Sequence, residues 1–244
     1  MGHYNLIKLN ATSSTNDKVK MLLKSKKIKP GDIVWADYQY KGRGQYKNKW
    51  NSSRGKNLLI SLYREFKGLK SKQVSYINFA ISLSVIKTIE HYISSDNYIK
   101  WPNDIMSGQK KISGILIENN IKADELNNSI IGIGININQI RFINIVNATS
   151  IKLITNTEIR IEEVLDKLIK NIGVYLKVLI DKDFRKIMDL YNSKLYGKDY
   201  CKFLINDETF EGKVINVNPS GSVNVKINGF GIKEYESNEI KILL

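Results

Sequence analysis

One short segment of the chain, KWPNDIMSGQKKISGILI from position 100, gathers residue types that could do chemistry on an anion. Proline fixes its own backbone and lacks an N–H donor, so Trp101-Pro102 predicts a strand end or a bulge rather than a helix. Asn103 and Asp104 then project polar groups from a constrained corner, and Lys111 opens the neighbouring strand of a hairpin. A carboxylate, an amide and a lysine held on rigid strands predict a site for a metal-bound nucleotide or another anion.

Lys111 is the residue that points most strongly to ligand chemistry. The run that it opens, 112–117, is mostly apolar, and a lysine on a buried strand is unusual unless its charge is used. The alternative is a strand-edge lysine that aids solubility, which suits Lys110 better. Asn103 and Asp104 have an alternative too, because Asn-Asp also favours turns.

A second stretch, residues 40–56, is polar, basic and glycine-containing, and it predicts a loop. Within it, Gly42-Arg43-Gly44 precedes Trp50. The glycines let backbone amides and a guanidinium approach a phosphate or carboxylate closely. The alternative is a flexible basic loop that binds nothing.

Three motifs in this order and spacing resemble those of the biotin protein ligase family. They are Ser14-Thr15-Asn16, the loop that runs from Gly42 to Trp50, and KWPND followed by a lysine and Gly-Ile-Leu. The resemblance covers essentially the whole chain. It implies a catalytic domain of the class II synthetase-like, biotin ligase type, in which a mixed β-sheet is flanked by helices, followed by a small SH3-like β-barrel.

The activity that this resemblance implies has two steps and three small substrates or cofactors: biotin, ATP and Mg²⁺. Biotin attacks the α-phosphate of ATP, which gives biotinyl-5'-AMP and pyrophosphate. A lysine of a biotin carrier domain, of the acetyl-CoA carboxylase type, then attacks the activated carboxyl. Such chemistry needs cationic groups near two anions and a shield from water.

The resemblance also implies a role for each matching residue. The catalytic residues are Lys111, Arg43 and Asp104, and Asp104 is a weak candidate for holding Mg²⁺ or for deprotonating the incoming lysine. The biotin-binding residues are Ser14, Thr15, Gln39, Arg43, Gly44, Lys111 and Gly114. The ATP-binding residues are Arg43, Gln45, Trp50, Lys100, Asn103, Asp104, Lys111 and Asn136.

Some of these residues have a purely structural alternative. Ser14 and Thr15 could simply cap a helix, and Trp50 and Trp101 could be plain core instead of walls of a ligand site. Asn136 ends the run IGIGIN, which lacks the third glycine and the following helix of a dinucleotide-binding fingerprint. No GxxxxGK[ST] loop occurs either, so an ATP site here is not a P-loop.

Composition restricts the class of protein. The chain has 244 residues, a single cysteine and a net charge of +14. One cysteine excludes an internal disulfide and favours a reducing compartment. No signal-peptide core and no apolar run of membrane-spanning length occurs. We expect a cytoplasmic protein, a monomer or a homodimer, without a membrane or DNA partner. The positive charge would speed its encounter with an acidic carrier domain.

Hydrophobic patterning predicts an α+β organisation in two domains, 1–196 and 197–244. The predicted helices are 16–26, 72–93, 162–180 and 184–195, and the predicted strands are 32–39, 57–64, 98–101, 111–119 and 129–136. From residue 199 onward, short β-type runs alternate with turns such as Asn228-Gly229, which is a hairpin signal.

The Ser-Thr-Asn motif begins at residue 14, which leaves no room for the DNA-binding domain of repressor-type relatives, so no repressor role is expected. A lipoate or octanoate ligase is the nearest alternative. A nucleic-acid-binding protein that stacks bases on Phe203, Phe210, Phe230 and Tyr235 is a more distant alternative.

Lys47 stands where the loop of the family usually has a third glycine. This departure predicts that the protein retains the adenylate less tightly than a protein with glycine at position 47.

Overall fold

The computed structural model describes residues 4–94, 96–143 and 147–244. Its main feature is a seven-stranded sheet in the order β1-β2-β3-β7-β6-β5-β4. The β1 and β2 strands pair in parallel, and the other neighbours pair antiparallel. The strands are β1 Leu6–Leu9, β2 Ile33–Ala36, β3 Asn57–Glu65, β4 Asn97–Lys100, β5 Asp104–Ser107, β6 Lys110–Lys122 and β7 Glu125–Asn136. The expected mixed sheet is confirmed.

Five α-helices accompany this sheet. They are α1 Thr15–Lys24, α2 Ser75–Ile89, α3 Ile151–Thr155, α4 Ile161–Ile180 and α5 Phe184–Ser193. The α2 helix is buried almost all round, and with α4 and α5 it covers one face of the sheet. The α1 helix packs on the opposite face through a smaller cluster that contains Val19 and Val34.

Strand alternation decides which side chains face α1. Along β7, Ile131, Ile133 and Ile135 enter the large core, whereas Ile130 joins the small cluster beneath α1. Successive side chains of a strand point to opposite faces, so Gly132 and Gly134 lie on the α1 face. This face, and not the large core, carries the candidate site.

The C-terminal part forms a second, antiparallel sheet in the order β11-β10-β9-β8-β12. Its strands are β8 Cys201–Ile205, β9 Glu208–Val217, β10 Val223–Ile227, β11 Gly231–Tyr235 and β12 Ile240–Ile242. The Asn206-Asp207 turn has left-handed backbone at both residues, with φ of 49° and 64°. This sheet agrees with the small SH3-like β domain that the sequence predicts.

Several hydrogen bonds tie the second sheet to the first part of the chain. The Trp101 indole Nε1 donates to the carbonyl of Gly221 at 2.8 Å, and Ser75 Oγ donates to the carbonyl of Ser220 at 2.6 Å. The Val217 N–H donates to Asn192 Oδ1 of α5 at 2.8 Å. Trp101 is 5% exposed, so it helps to fix the second sheet in place.

Most predicted elements are present, with shifted ends. The predicted helix 72–93 begins later, at Ser75, after a short 3-10 turn, and it ends earlier, at Ile89. The predicted strand 32–39 ends at Ala36. The β1, β5 and α3 elements were not predicted. In the described residues, no helix combines the length and the apolarity needed to cross a bilayer.

Candidate active site

A cleft of about 890 Å³ lies between the α1 face of the main sheet and the C-terminal sheet. Every predicted site residue except Asn136 lines it. Those residues are Ser14, Thr15, Gln39, Arg43, Gly44, Gln45, Trp50, Lys100, Asn103, Asp104, Lys111 and Gly114. Three segments that are far apart in the sequence thus meet in one cavity of a size suited to a small-molecule ligand.

The hairpin of β5 and β6 brings the expected carboxylate and ammonium together. Lys111 Nζ lies 2.5 Å from Asp104 Oδ1. Both strands hold the pair, because Asp104 is in register with Gly114 and Lys111 with Met106, with a bulge between them. The Lys111 backbone is fixed from its other side, since its N–H donates to the carbonyl of Asn147 at 2.8 Å.

A second lysine makes this corner strongly cationic. Lys100 faces Asp104 across the β4–β5 pair. Burial lowers the pKa of Lys100, the charge of Asp104 raises it, and the charges of Lys111 and Lys241 lower it further. The charges of Lys111 and Lys241 thus both act on Lys100, and an anion entering the cleft would relieve this repulsion.

Asn103 stabilises the conformation of this corner through two hydrogen bonds. Its amide Nδ2 donates to the carbonyl of Ile115 at 2.7 Å, and its own carbonyl accepts from the Ile115 N–H at 3.0 Å. Asn103 lines the cleft, as predicted, and one of its two amide N–H donors is used in this bond.

The Ser-Thr-Asn segment forms a polar network at the start of α1. Gln39 Oε1 accepts from the Thr15 N–H at 2.7 Å and from Thr15 Oγ1 at 3.0 Å. Ser61 Oγ lies 2.7 Å from Thr15 Oγ1 and 2.5 Å from Asn16 Oδ1, and its single proton is donated to one of the two. Ser14 occupies the N-cap position, yet its side chain makes no capping hydrogen bond. Helix capping by its hydroxyl therefore does not explain Ser14.

The loop from Gly42 to Trp50 closes on itself at its base. The Gly44 N–H donates to the carbonyl of Asn48 at 2.7 Å, and the Trp50 N–H donates to the carbonyl of Gly42 at 3.0 Å. Tyr46 carries the left-handed backbone of this loop, with φ of 50°. Its hydroxyl hydrogen-bonds Ser237 Oγ of the C-terminal sheet region.

Arg43 is already paired with carboxylates, which the sequence did not predict. Its Nη2 lies 2.7 Å from Asp17 Oδ1 and 3.0 Å from Glu118 Oε2. The Nε of Arg43 is buried and has no hydrogen-bond partner, and the same holds for the Trp50 indole Nε1. Buried donors without partners are rare in folded proteins. Both atoms lie against protein, beside the cleft that Arg43 and Trp50 line.

Gly114 and Gly134 form a platform for the Trp50 ring. The two glycines are register partners on β6 and β7. A Cβ atom at Gly134 would lie 2.6 Å from Trp50 Cε2, and one at Gly114 would lie 2.9 Å from Trp50 Cζ3. The close approach expected at Gly114 is therefore made by Trp50 and by the Lys111 side chain, and its contact with biotin stays a prediction.

Asn136 is the one predicted residue that the structure does not bring to the cleft. It is 4% exposed, and its Nδ2 donates to the carbonyl of Thr149 at 3.0 Å. It lies at the end of β7 and ties the strand to the segment before α3. The expectation that it contacts ATP gains no support from this position.

Comparison with known proteins gives this arrangement a family. The model of the biotin/lipoate A/B protein ligase family matches residues 9–136. A biotin protein ligase from Aquifex aeolicus, solved in complex with biotin and ATP, is 31% identical, with 98% of each chain covered and a TM-score of 0.80.

The chain belongs to the biotin/lipoate A/B protein ligase family. The bifunctional ligase/repressor BirA of Bacillus subtilis is 33% identical over 126 residues, which are 52% of this chain and 38% of that protein. The chloroplastic biotin–protein ligase 1 of Arabidopsis thaliana is 27% identical over 186 residues, or 73% of this chain and 49% of that protein. The chain thus spans about half or less of these two curated relatives.

The family motifs account for only one wall of the cleft. The opposite wall comes from the C-terminal sheet and its turns, and sequence reasoning missed it. Its residues include Asn206, Asp207, Glu234, Tyr235, Ser237, Asn238, Glu239 and Lys241. No local pattern marks these residues, because their position depends on how the second sheet packs on the first.

Family membership does not by itself provide a resident metal. In the described residues, no three His, Cys, Asp or Glu side chains cluster in a way that could hold a metal ion. Mg²⁺ that arrives with ATP needs only one or two protein carboxylates. Asp104, the residue predicted for this role, is paired with Lys111 in the structure, and its contact with Mg²⁺ stays a prediction.

Proposed function

We propose that this chain is an ATP-dependent biotin protein ligase, which forms biotinyl-5'-AMP and then transfers biotin to a lysine of a biotin carrier domain. The observation that carries this proposal is the cleft itself. It brings the Lys111–Asp104 pair and Arg43 together in one cavity. Several cations in one cavity suit a reaction between two anionic substrates.

In the first step, a carboxylate oxygen of biotin attacks the α-phosphorus of ATP, and pyrophosphate leaves. Negative charge grows on the α-phosphate oxygens as the new bond forms. Lys111 and Arg43 line the cleft where this charge must be balanced. Their role is to bind both anions and to stabilise the transition state more than the ground state.

In the second step, the carrier lysine attacks the activated carbonyl carbon, an amide forms and AMP leaves. The attacking amine must lose a proton, and Asp104 is the carboxylate nearest to the Lys111 corner. Asp104 would also hold Mg²⁺ bound to the ATP phosphates, where the metal neutralises phosphate charge.

Biotin is favoured over lipoate as the substrate. The family includes enzymes for both, but the Aquifex aeolicus protein with 98% coverage of each chain is a biotin protein ligase. The net charge of +14 favours an acidic acceptor such as a carrier domain of the acetyl-CoA carboxylase type. We extend the proposal to a catalytic domain of residues 1–196, a C-terminal domain of residues 197–244, and a cytoplasmic location.

The nucleic-acid alternative has little to support it. Phe203 is fully buried, so it is not free to stack on a base. Phe210 packs edge-on against Phe230, with ring centroids 5.7 Å apart. Salt-dependent binding to random RNA without any biotin requirement would be needed to favour that function.

A transfer assay tests the proposal. The protein is incubated with biotin, MgATP and an unmodified biotin carrier domain, and the mass of the carrier is measured, with lipoate in a parallel reaction. We expect the biotin mass on the carrier, its loss in Lys111→Ala and its retention in Lys110→Ala. Transfer of lipoate alone would identify a lipoate ligase. Neither transfer nor biotin-dependent pyrophosphate release would overturn the proposal.

A further inference from the structure

Glu118 occupies the point where three separate segments meet. It lies on β6, in register with Ile130 of β7, so its side chain is on the face that α1 covers. Glu118 Oε1 lies 2.6 Å from Lys20 Nζ, and Glu118 Oε2 accepts from Asn16 Nδ2 at 2.8 Å and from Arg43 Nη2 at 3.0 Å. One carboxylate thus connects helix α1, the glycine-arginine loop and the main sheet.

The cluster around Glu118 is nearly self-neutral. Two cations, Lys20 and Arg43, face two anions, Glu118 and Asp17. Burial raises the pKa of Glu118, but the hydrogen bonds from Lys20 and Asn16 and the charge of Arg43 outweigh it, so the net pKa is lowered. Glu118 is therefore ionised in the folded protein at neutral pH.

The carboxylates of Glu118 and Asp17 contact Arg43 from outside the cleft. Arg43 lines the cleft, whereas Glu118, Asp17 and Lys20 do not. Both carboxylates contact the same nitrogen, Nη2, while the buried Nε has no partner. The guanidinium is therefore anchored through Nη2, on a residue that lines the cleft.

From this geometry we propose that Glu118 is a positioning residue, which fixes the direction of the Arg43 guanidinium without touching substrate. The inference rests on the proposed function, because Arg43 is assigned there to the anionic substrates. Glu118 holds the guanidinium through Nη2, beside the cleft that Arg43 lines. Preorganised donors stabilise a transition state at no reorganisation cost.

A double-mutant cycle on the first half-reaction tests this. Glu118→Gln keeps the shape and can still accept from Asn16, but it removes the charge that holds Arg43. We expect about a tenfold fall in kcat for biotin-dependent pyrophosphate release, which corresponds to a charged hydrogen bond of ordinary strength, with less effect on KM. In an Arg43→Ala background the same substitution is expected to change kcat by less than about twofold, because its target is gone.

Lys20→Met is the matched control, since it removes another partner of Glu118 and leaves the Arg43 pair intact. We expect it to leave kcat within about twofold, as for other partly exposed ion pairs. An equal loss from Glu118→Gln in both backgrounds, no loss at all, or the same loss from Lys20→Met would overturn the proposal. Each of those results would give Glu118 a structural role or none.

A second measurement does not depend on activity. Trypsin cleaves after lysines, and Lys49 lies within the loop that Arg43 anchors. We expect Glu118→Gln, but not Lys20→Met, to speed cleavage of this loop in the native protein; equal rates in all three proteins would overturn the positioning role. If the wild-type protein released no pyrophosphate, the proposed function would fail, and the cleavage rates would still decide the inference.

Discussion

Lys111 Nζ and Asp104 Oδ1 are 2.5 Å apart on adjacent strands of one hairpin. Neither side chain depends on a flexible loop for its place, because β5 and β6 carry them and the 147–149 segment holds the Lys111 backbone. Sites built on strands are held more exactly in place than sites built on loops. The pair is therefore set before any ligand arrives.

Replacing Lys111 tests this pair directly. Lys111→Ala is expected to lower kcat for adenylate formation by about 10²–10³-fold, as loss of a preorganised donor does elsewhere. The measurement is biotin-dependent pyrophosphate release. Lys110→Ala, one residue away on the same strand, serves as the control and is expected to keep full activity. A comparable loss in both variants would show that general surface charge is what matters.

Asp104→Asn should change the pH dependence of ATP binding. Asp104 raises the pKa of Lys100, whereas burial, Lys111 and Lys241 lower it. Without the carboxylate the pKa of Lys100 falls further, so Lys100 loses its proton at lower pH. We expect the alkaline rise in the ATP dissociation constant to begin at lower pH than in the wild type. Calorimetry across pH 7–10 measures this, with Asp189→Asn on α5 as the control, and coincident profiles would contradict the assignment.

Glu118 should stabilise the fold in a pH-dependent way. Its folded-state pKa is lowered, so the stabilisation is present above its unfolded-state pKa and is lost as pH falls through the folded-state value. At neutral pH, Glu118→Gln is expected to reduce the free energy of unfolding by about 1–3 kcal/mol, the range for hydrogen bonds to charged groups. The difference in the free energy of unfolding between the wild type and Glu118→Gln should become smaller in acid. Urea unfolding measured from pH 7 to pH 3 tests this. A difference that stays constant over this range would contradict the ionised state.

Gly134→Ala should displace the Trp50 ring. The added Cβ would lie 2.6 Å from Trp50 Cε2, which is closer than packed carbon atoms allow. We expect a shifted tryptophan emission spectrum and weaker biotin binding. Trp50→Phe removes the indole atoms that contact Gly134, so the double variant should bind biotin better than Gly134→Ala alone. If it binds no better, crowding by Trp50 is not the cause.

Lys47→Gly should slow the release of the adenylate. The left-handed backbone in this loop is at Tyr46, beside position 47, and a glycine there would widen the choice of loop conformations. The measurement is the rate at which biotinyl-adenylate leaves the native protein and the variant. Identical release rates would refute the expectation that Lys47 weakens the retention of biotinyl-adenylate.

Sequence patterns predicted β3, β6 and β7 well because these strands are long and contain apolar runs. The 129–136 run was predicted as a strand, and β7 contains it. The β1 strand was missed because Leu6–Leu9 is short and only half-buried, so its alternation is weak. The α3 helix has a similar problem, since five residues give too few turns for a periodic signal.

The site shows the same division between local and long-range information. Lys111 and Asp104 were predicted as neighbours because one hairpin holds them. The partners of Arg43 were not, since Glu118 lies 75 positions further along the chain. Asn136 was placed by resemblance alone, and its amide is used inside the protein. Pairings across the fold leave no local pattern in a single sequence.

The two-walled cleft has a consequence for inhibitor selectivity. The family model ends at residue 136, whereas the wall formed by Asn238, Lys241 and their neighbours lies more than 100 positions later. A compound confined to the Lys111 corner meets the motifs that related enzymes share. A compound that also reaches the C-terminal wall meets side chains that the family motif does not specify, and there it can discriminate between this protein and its relatives.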